Sequence, residues 1–265
     1  MENLVGYFAA GLIGVSLGLI GGGGSILTVP VLVYLFHIEP TLATAYSLFI
    51  VGTTSLVGGV KSAMNGLVDF RTAIVFAIPS FIAVYLTRRF IVPVIPDEII
   101  SLGSFVLTKD IGIMVFFGLI MLGAAITMID KSTNDDSDEA TAKYNYPVIL
   151  LEGSVVGMLT GIVGAGGGFL IIPALVLFAK LPMKKAVGTS LVIIAAKSLI
   201  GFLGDIGAGQ HIDFRFMIVI SVIAILGIFL GGYISKFIES GKLKSAFGWF
   251  VLATGIYVIA NEIWL

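Results

Sequence analysis

Two glycine-rich runs and one lysine are the residues of this chain whose types and positions could bind an anion. The first run is Gly21–Gly24, followed by Ser25, and the second spans residues 164–168 with Ala165 inside it. Consecutive glycines form helix poorly, so each run is predicted to split an apolar segment into two half-helices. The second half-helix of each pair would present free backbone N–H groups, which favour anions.

The predicted substrate-binding set joins these glycines to hydroxyl side chains and to Lys197. Lys197 is the only base in the middle of an apolar segment, where an ionisable side chain is costly and indicates a functional site. It would neutralise an anionic substrate; the alternatives are pairing with a buried acid and snorkelling to the interface. The complete set is Gly22, Gly23, Gly24, Ser25, Ser47, Thr54, Gly166, Gly167, Gly168, Thr189, Ser190 and Lys197.

The hydroxyl side chains of this set follow a helical spacing. Ser190 lies seven residues before Lys197, and Ser47 lies seven before Thr54, so each pair shares one face of a helix. Hydroxyls at this spacing bind an oxyanion or bridge neighbouring helices. The sequence leaves both interpretations open.

Structural roles are the alternative for several polar and glycine positions. A glycine run in a membrane helix often only permits close packing. Two Asp-Phe-Arg motifs, at residues 69–71 and 213–215, stand at segment boundaries, where Asp caps a helix and Arg anchors at the interface. Asp205 and Glu152 could carry protons, although both lie near predicted segment ends.

The composition of the chain predicts a membrane around these residues. Of 265 residues, 58% are hydrophobic and only 12% are charged, whereas a soluble domain carries about 25% charged residues. This excludes a soluble enzyme, and the high hydrophobicity excludes disorder. Apolar runs long enough for membrane helices occur at residues 4–36, 41–60, 72–87, 111–129, 147–179, 186–204, 216–235 and 245–265.

The chain is predicted to contain two homologous membrane repeats. Residues 1–129 form the first repeat, residues 130–146 a polar acidic linker, and residues 147–265 the second repeat. Residues 18–66 align with residues 161–209 at an offset of 143, with 16 identities over 49 positions. The Asp-Phe-Arg motif repeats at an offset of 144. Internal duplication of this kind is common in secondary transporters.

Lysine and arginine counts favour an inverted arrangement of the repeats. If each glycine-broken segment re-enters its own side, ten bases face one side and four, Arg88, Arg89, Lys109 and Arg215, face the other. If all eight segments cross, the counts are nine and five. The positive-inside rule places the ten-base side in the cytoplasm and both termini outside. The predicted fold class is an all-α integral membrane protein with about eight hydrophobic segments, with an inverted repeat preferred.

The motifs GLIGGGGSILTVPVL and GIVGAGGGFLIIPAL, followed by GTSLVIIAAKSLIGF, resemble the sulfite exporter TauE/SafE family of membrane permeases. The resemblance covers nearly the whole chain. It implies a multi-pass permease of the plasma (inner) membrane for sulfite or related organosulfur anions such as sulfonates. Thr54 stands at the position aligned with Lys197, so the two halves are not chemically equal.

The leading hypothesis is a secondary transporter for small sulfur-containing anions that works by alternating access around a midplane site. The alternative is a carrier or channel-like conduit for another small organic anion. An enzyme is disfavoured, because the sequence has no cysteine, no HExxH motif and no Walker motif. The expected partners are a small anion and the lipid bilayer, with no cofactor, no metal and no nucleic acid. A coupling ion, proton or sodium, and a homo-oligomer stay open.

Overall fold

The protein is described here by a computed structural model. The structure describes residues 2–22, 24–102, 105–129, 146–163, 168–177, 179, 181–207 and 212–264. Within these residues the chain forms ten α-helices and one two-stranded hairpin. The predicted fold class, an all-α membrane protein, is confirmed. Three predicted site residues, Gly23, Gly166 and Gly167, and nearly all of the linker lie outside the described residues.

The elements of the first half follow one another with short connections. Two helices end in tighter or wider turns: α2 continues as a π-helical turn, and α4 continues as a π-helical and then a 3-10 turn. In chain order, the elements of the first half are α1 (Glu2–Ile20), α2 (Gly24–Pro30, then Val31–Leu35), α3 (Pro40–Met64), α4 (Phe70–Leu86, then Thr87–Ile91 and Val92–Val94), β1 (Glu98–Leu102), β2 (Phe105–Thr108) and α5 (Lys109–Ile129).

The second half repeats this order of helices without the hairpin. Its first two helices again flank a glycine run, and α9 ends in a 3-10 turn. In chain order, the helices of the second half are α6 (Tyr146–Val163), α7 (Gly168–Leu177), α8 (Met183–Gly207), α9 (Phe214–Ile234, then Ser235–Phe237) and α10 (Ser240–Trp264).

The first glycine-broken segment folds back on itself. Gly21 has a φ of +77°, a left-handed conformation that glycine adopts without steric cost, and the chain reverses there between α1 and α2. A Cβ at Gly24 would overlap the carbonyl oxygen of Ile13, and one at Gly6 would overlap the ring of Phe36. Because the start of α1 lies beside the end of the α2 extension, the two helices form an antiparallel hairpin. The predicted helix break is therefore confirmed in the first half.

The long helices pack through glycines that remove side-chain bulk from the interfaces. A Cβ at Gly52 would press on Leu199, and one at Gly59 on Val192, so α3 and α8 run antiparallel. Gly14 lies against the backbone of Ala224, so α1 packs closely on α9. Such close approach of backbones is the usual means of helix association in a bilayer, where lipid is as apolar as the side chains.

Four helices in the described part of the chain are long and apolar enough to cross a membrane. They are Pro40–Met64, Phe70–Val94, Met183–Ile206 and Phe214–Phe237, and shorter apolar helices cover Leu4–Ile20, Gly24–Leu35, Ile149–Val163 and Val251–Glu262. In the most apolar stretch of α3, 72% of residues are buried, against 39% in α4 and in α9. The helices α3 and α8 therefore form the centre of the molecule, and α4 and α9 lie at its periphery.

The outer face of α4 is apolar and exposed. Ile74, Ile78 and Ile82 recur every four residues on this helix, and each is more than half exposed. A row of exposed isoleucines would be unfavourable in water, but it suits contact with lipid acyl chains.

A two-stranded antiparallel hairpin between α4 and α5 is a feature that the sequence analysis did not predict. β1 pairs with β2, with Glu98 opposite Thr108 and Ser101 opposite Val106. The run contains β-branched and aromatic residues, and Pro93 and Pro96 end the preceding helical stretch. The hairpin lies between two of the predicted apolar runs, 72–87 and 111–129, a stretch for which the sequence predicted no element.

The predicted capping role of the two Asp-Phe-Arg motifs is confirmed. The Asp69 carboxylate accepts a hydrogen bond from the backbone N–H of Thr72 at 2.9 Å at the start of α4. The Asp213 carboxylate accepts one from Phe216 N–H at 3.0 Å at the start of α9. Each aspartate therefore satisfies one of the N–H groups that a helix start leaves without an intrahelical partner.

Candidate anion site at the glycine breaks

The first glycine break is held by hydrogen bonds from its own residues. Gly21 N–H donates to the Leu17 carbonyl at 2.7 Å, and Gly22 N–H donates to Ile20 at 3.0 Å. The Ser25 hydroxyl donates to the Gly22 carbonyl at 2.7 Å. The predicted site residue Ser25 is thus fully buried and engaged with the turn that precedes α2.

The two glycine breaks meet in the middle of the molecule. A Cβ at Gly22 would overlap the backbone of Gly168, and a Cβ at Gly168 would overlap the backbone of Gly22. Gly22 precedes α2, and Gly168 is the first residue of α7. The backbones at the start of two half-helices, one from each repeat, are therefore in direct contact, which any larger residue at either position would prevent.

Ser190 lies beside the first break. A Cβ on Gly21 would come within 3.0 Å of the Ser190 hydroxyl oxygen and within 2.8 Å of the Val187 side chain. The Ser190 hydroxyl donates its hydrogen to the Val187 carbonyl at 2.8 Å. A residue of the second repeat thus contacts the glycine run of the first.

Lys197 is buried, and no acidic side chain pairs with it among the residues that the structure describes. Its side chain is 1% exposed, and its ammonium donates to the Thr160 hydroxyl at 3.1 Å. Among the described residues no carboxylate lies within 4.0 Å of it. Both alternatives from the sequence, pairing with an acid and snorkelling to the interface, disagree with this placement. The sequence analysis did not identify Thr160 of α6 as a partner of Lys197. The internal alignment gave no signal for it, because the residue aligned with Thr160 in the first half is Leu17.

The remaining hydroxyls of the predicted set divide into two groups. Ser47 and Thr54 on α3 are fully buried, and their hydroxyl groups have no hydrogen-bond partner within the described part of the chain. Buried polar groups are nearly always satisfied, so such hydroxyls suit a polar guest. The Thr189 hydroxyl instead accepts a hydrogen bond from Asp69 N–H at 2.9 Å, which holds the loop before α4.

A buried ion pair is the main polar feature that sequence reasoning missed. Arg88 Nε lies 3.5 Å from Asp205 Oδ2, and both side chains are buried. The sequence analysis counted Arg88 among the four bases that face one side of the membrane. In the structure the π-helical turn after α4 carries its side chain inward against Gly204 of α8. The available signal was an aspartate at the end of an apolar segment, opposite an Arg-Arg pair at the end of another.

No group of three or more His, Cys, Asp or Glu side chains comes together in a way that could hold a metal ion, as far as the described residues extend. The polar groups of the predicted set are backbone amides, hydroxyls and the Lys197 ammonium. Such groups recognise an anion by hydrogen bonding and charge.

An apolar helical molecule with glycine-broken helices meeting at its centre defines a multi-pass membrane protein of the transporter class. The sequence profile of the family described as "Sulfite exporter TauE/SafE" matches residues 7–258. The chain belongs to this family, and the predicted family assignment is confirmed.

Several relatives that align with most of this chain are named as membrane transporters. A "Probable membrane transporter protein" of Xylella fastidiosa (strain 9a5c) is 29% identical over 261 residues, covering 95% of this chain and 92% of the relative. The "Probable membrane transporter protein YunE" of Bacillus subtilis (strain 168) is 29% identical over 241 residues, covering 85% and 86%. No solved structure matches the chain. These names point to a membrane transporter and not to an enzyme.

Proposed function

We propose that this protein is a secondary transporter of the plasma membrane for small sulfur-containing anions, such as sulfite or organosulfonates. The anion would bind between the two glycine breaks and would gain access to each side of the membrane in turn. The contact between Gly22 and Gly168 carries the proposal, since it brings together the breaks of both repeats. The family description names sulfite, which supports a sulfur oxyanion as the first substrate to test.

We infer that the two repeats are inverted relative to one another, which would support alternating access. The helices α3 and α8, which occupy equivalent places in the two halves, run antiparallel. Equivalent glycines also make equivalent contacts: Gly18 packs on Ile228 of α9, and Gly161 packs on Val84 of α4. Two halves of similar packing and opposite direction would exchange conformations when access changes sides.

Lys197 would supply the charge that holds the anion. An ammonium buried without a carboxylate is unfavourable in a bilayer, and a bound anion would offset that cost. The Thr160 hydroxyl orients the ammonium, and the unsatisfied hydroxyls of Ser47 and Thr54 would contribute further donors. Backbone N–H groups in the first turn of α7 would donate to the anion, since the Gly21, Gly22 and Ser25 N–H groups at the first break already donate to carbonyl groups.

The buried Arg88–Asp205 pair favours a carrier over a continuously open conduit. Both side chains are enclosed, so they obstruct the space between the turn after α4 and the end of α8. A conduit for another small organic anion remains the alternative, and it would need this region to be permanently open.

The test is uptake of labelled sulfite into proteoliposomes that contain the purified protein, compared with empty liposomes. Flux above the control, reduced by excess unlabelled sulfite, is expected. Gly22→Ala should abolish it, because its Cβ would overlap Gly168, whereas Gly123→Ala should not, because a Cβ there meets nothing within 4 Å. Lys197→Met should lower uptake about ten- to a hundredfold, as loss of a charged hydrogen bond predicts.

Lys242→Gln is the matched control for Lys197, because Lys242 lies at the surface paired with Glu239. Absence of flux from a folded preparation for sulfite, sulfonates and carboxylates alike would refute anion transport. Normal flux in both Gly22→Ala and Lys197→Met would show that the substrate does not bind at the glycine breaks.

A further inference from the structure

A cavity of about 410 Å³ opens at one end of the molecule, between α1, α3, α8 and α9. We call it the vestibule. Three lysines line it: Lys61 near the end of α3, Lys184 at the start of α8, and Lys236 after α9. These lysines belong to the ten-base side of the membrane in the re-entrant topology. The vestibule therefore opens on the side that the positive-inside rule assigns to the cytoplasm.

The vestibule is electropositive. No Asp or Glu is among the described residues that line it. Lys61 holds its ammonium 4.8 Å from the centroid of the Phe229 ring, a cation–π contact that directs the charge along the wall. A cleft lined by charges of one sign raises the local concentration of the opposite ion, so the vestibule would concentrate anions.

Part of the wall of the vestibule is apolar. Leu19, Leu191 and Ile228 line it together with the lysines. A bare oxyanion such as sulfite would lose hydration against these side chains and gain nothing in return. An anion with an apolar body would bury that body on the wall while its charged group stays near the lysines. A mostly apolar pocket with a few polar groups is the usual form of a site for an organic ligand.

The vestibule adjoins the site at the glycine breaks. Val187 lines the vestibule and is also the side chain that Gly21 accommodates. Ser190 follows on the same helix, and its hydroxyl oxygen lies at the first break. A ligand in the vestibule is thus separated from the first break by one layer of side chains.

We propose that the vestibule is a second binding site, which selects organic anions with a short apolar body, such as alkyl sulfonates and carboxylates, over bare inorganic oxyanions. This inference rests on the proposed function and narrows its substrate class. The same chemistry, an anionic group on an apolar body, also occurs in anionic lipids. The proposal commits to the soluble anion, and the test separates the two sources.

The test is equilibrium binding to the full-length protein in nanodiscs of neutral phosphatidylcholine, by titration with sulfite and with straight-chain sulfonates from methanesulfonate to hexanesulfonate. Each added methylene should lower Kd by about two- to fourfold until the wall is covered. Sulfite should bind most weakly. A second set of nanodiscs containing phosphatidylglycerol should give the same order of affinities.

Variants test the two parts of the vestibule separately. Replacing Lys61, Lys184 and Lys236 by Gln should raise Kd for every sulfonate, by up to about fivefold per lysine, and should reduce its salt dependence. Lys185→Gln is the matched control, because Lys185 is an exposed neighbour of Lys184 outside the lining. Val187→Thr should weaken the dependence on chain length, because it places a hydroxyl on the apolar wall.

The outcomes are distinguishable from those of the transport test. Equal affinity for sulfite and hexanesulfonate, in a preparation that transports sulfite, would refute this inference and leave the proposed function intact. Loss of sulfonate binding in phosphatidylglycerol nanodiscs would assign the vestibule to lipid headgroups. Absence of all anion flux would refute the proposed function itself. Size-exclusion profiles matching the unmodified protein show that each variant is folded.

Discussion

The two ends of the molecule differ although the two halves of the chain share their order of helices. At the basic end, Lys61, Lys184 and Lys236 surround an open vestibule. At the ion-pair end, Arg88 and Asp205 are buried against one another. Lys184 and Asp205 are 21 residues apart on the same helix, so the two ends lie about 30 Å apart along α8.

The repeat itself shows where this difference originates. At the offset of 143, Ser62 is the counterpart of Asp205, and at the offset of 144, Gly232 is the counterpart of Arg88. Ser62 and Gly232 both line the vestibule. The positions that hold an ion pair at one end therefore hold a hydroxyl and a glycine at the other, where the space is open.

Two regions with similar backbones can therefore differ in how accessible they are from outside the molecule. At one end an ion pair lies between two helices, and at the other end small residues line an open vestibule.

The largest effect is expected from breaking the ion pair on one side only. Asp205→Leu would leave the Arg88 guanidinium buried without a carboxylate, at a cost of about 3–5 kcal/mol in the free energy of unfolding. Thermal unfolding in detergent measures this loss. The double variant Arg88→Met/Asp205→Leu should recover most of it, because no charge remains to be buried. If Asp205→Leu proved as stable as the unmodified protein, the result would contradict a buried ion pair between Arg88 and Asp205.

Differences in access should appear as differences in labelling. The natural chain has no cysteine, so each introduced cysteine is the only thiol present. Ser62→Cys, in the vestibule, should react with a membrane-impermeant maleimide at least about tenfold faster than Thr87→Cys, which is buried beside Arg88. Inside-out vesicles should label Ser62→Cys, and right-side-out vesicles should not. Equal labelling rates for Ser62→Cys and Thr87→Cys would show that the two ends do not differ in their access to the reagent.

The smallest effect is expected at a helix cap. Asp213→Ala removes the carboxylate that accepts from Phe216 N–H, which should cost about 1 kcal/mol of stability. Because this residue lies at the start of α9 and away from both the vestibule and Lys197, sulfite uptake per folded molecule should not change. A shift in the melting temperature with unchanged uptake is the expected result, and a loss of uptake would show that this cap takes part in transport.

Much of the fold follows from local properties of the chain. The long apolar runs predict membrane helices, and Gly21–Gly24 predicts a break, because chain length, hydropathy and glycine conformation are encoded within one segment. The Asp69 and Asp213 caps could be recognised for the same reason, since a cap involves residues only three positions apart.

Other features depend on which segments meet. The sequence placed Lys197 within a helix, but only the packing of α6 against α8 decided that Thr160 would be its partner. It placed Arg88 at a segment boundary, whereas the turn after α4 carries the side chain inward to Asp205. The vestibule likewise exists only because α1, α3, α8 and α9 leave a space between them.

From the sequence come a membrane protein, a glycine run in each half of the chain, and a single base in the middle of an apolar segment. The tertiary structure alone decided that Gly22 meets Gly168, that Lys197 has no described acidic partner, and that one end is open while the other holds an ion pair. The reason is physical. Helix breaks and caps are set by neighbouring residues in one segment, whereas pairing, burial and cavities are set by contacts between residues far apart in the chain.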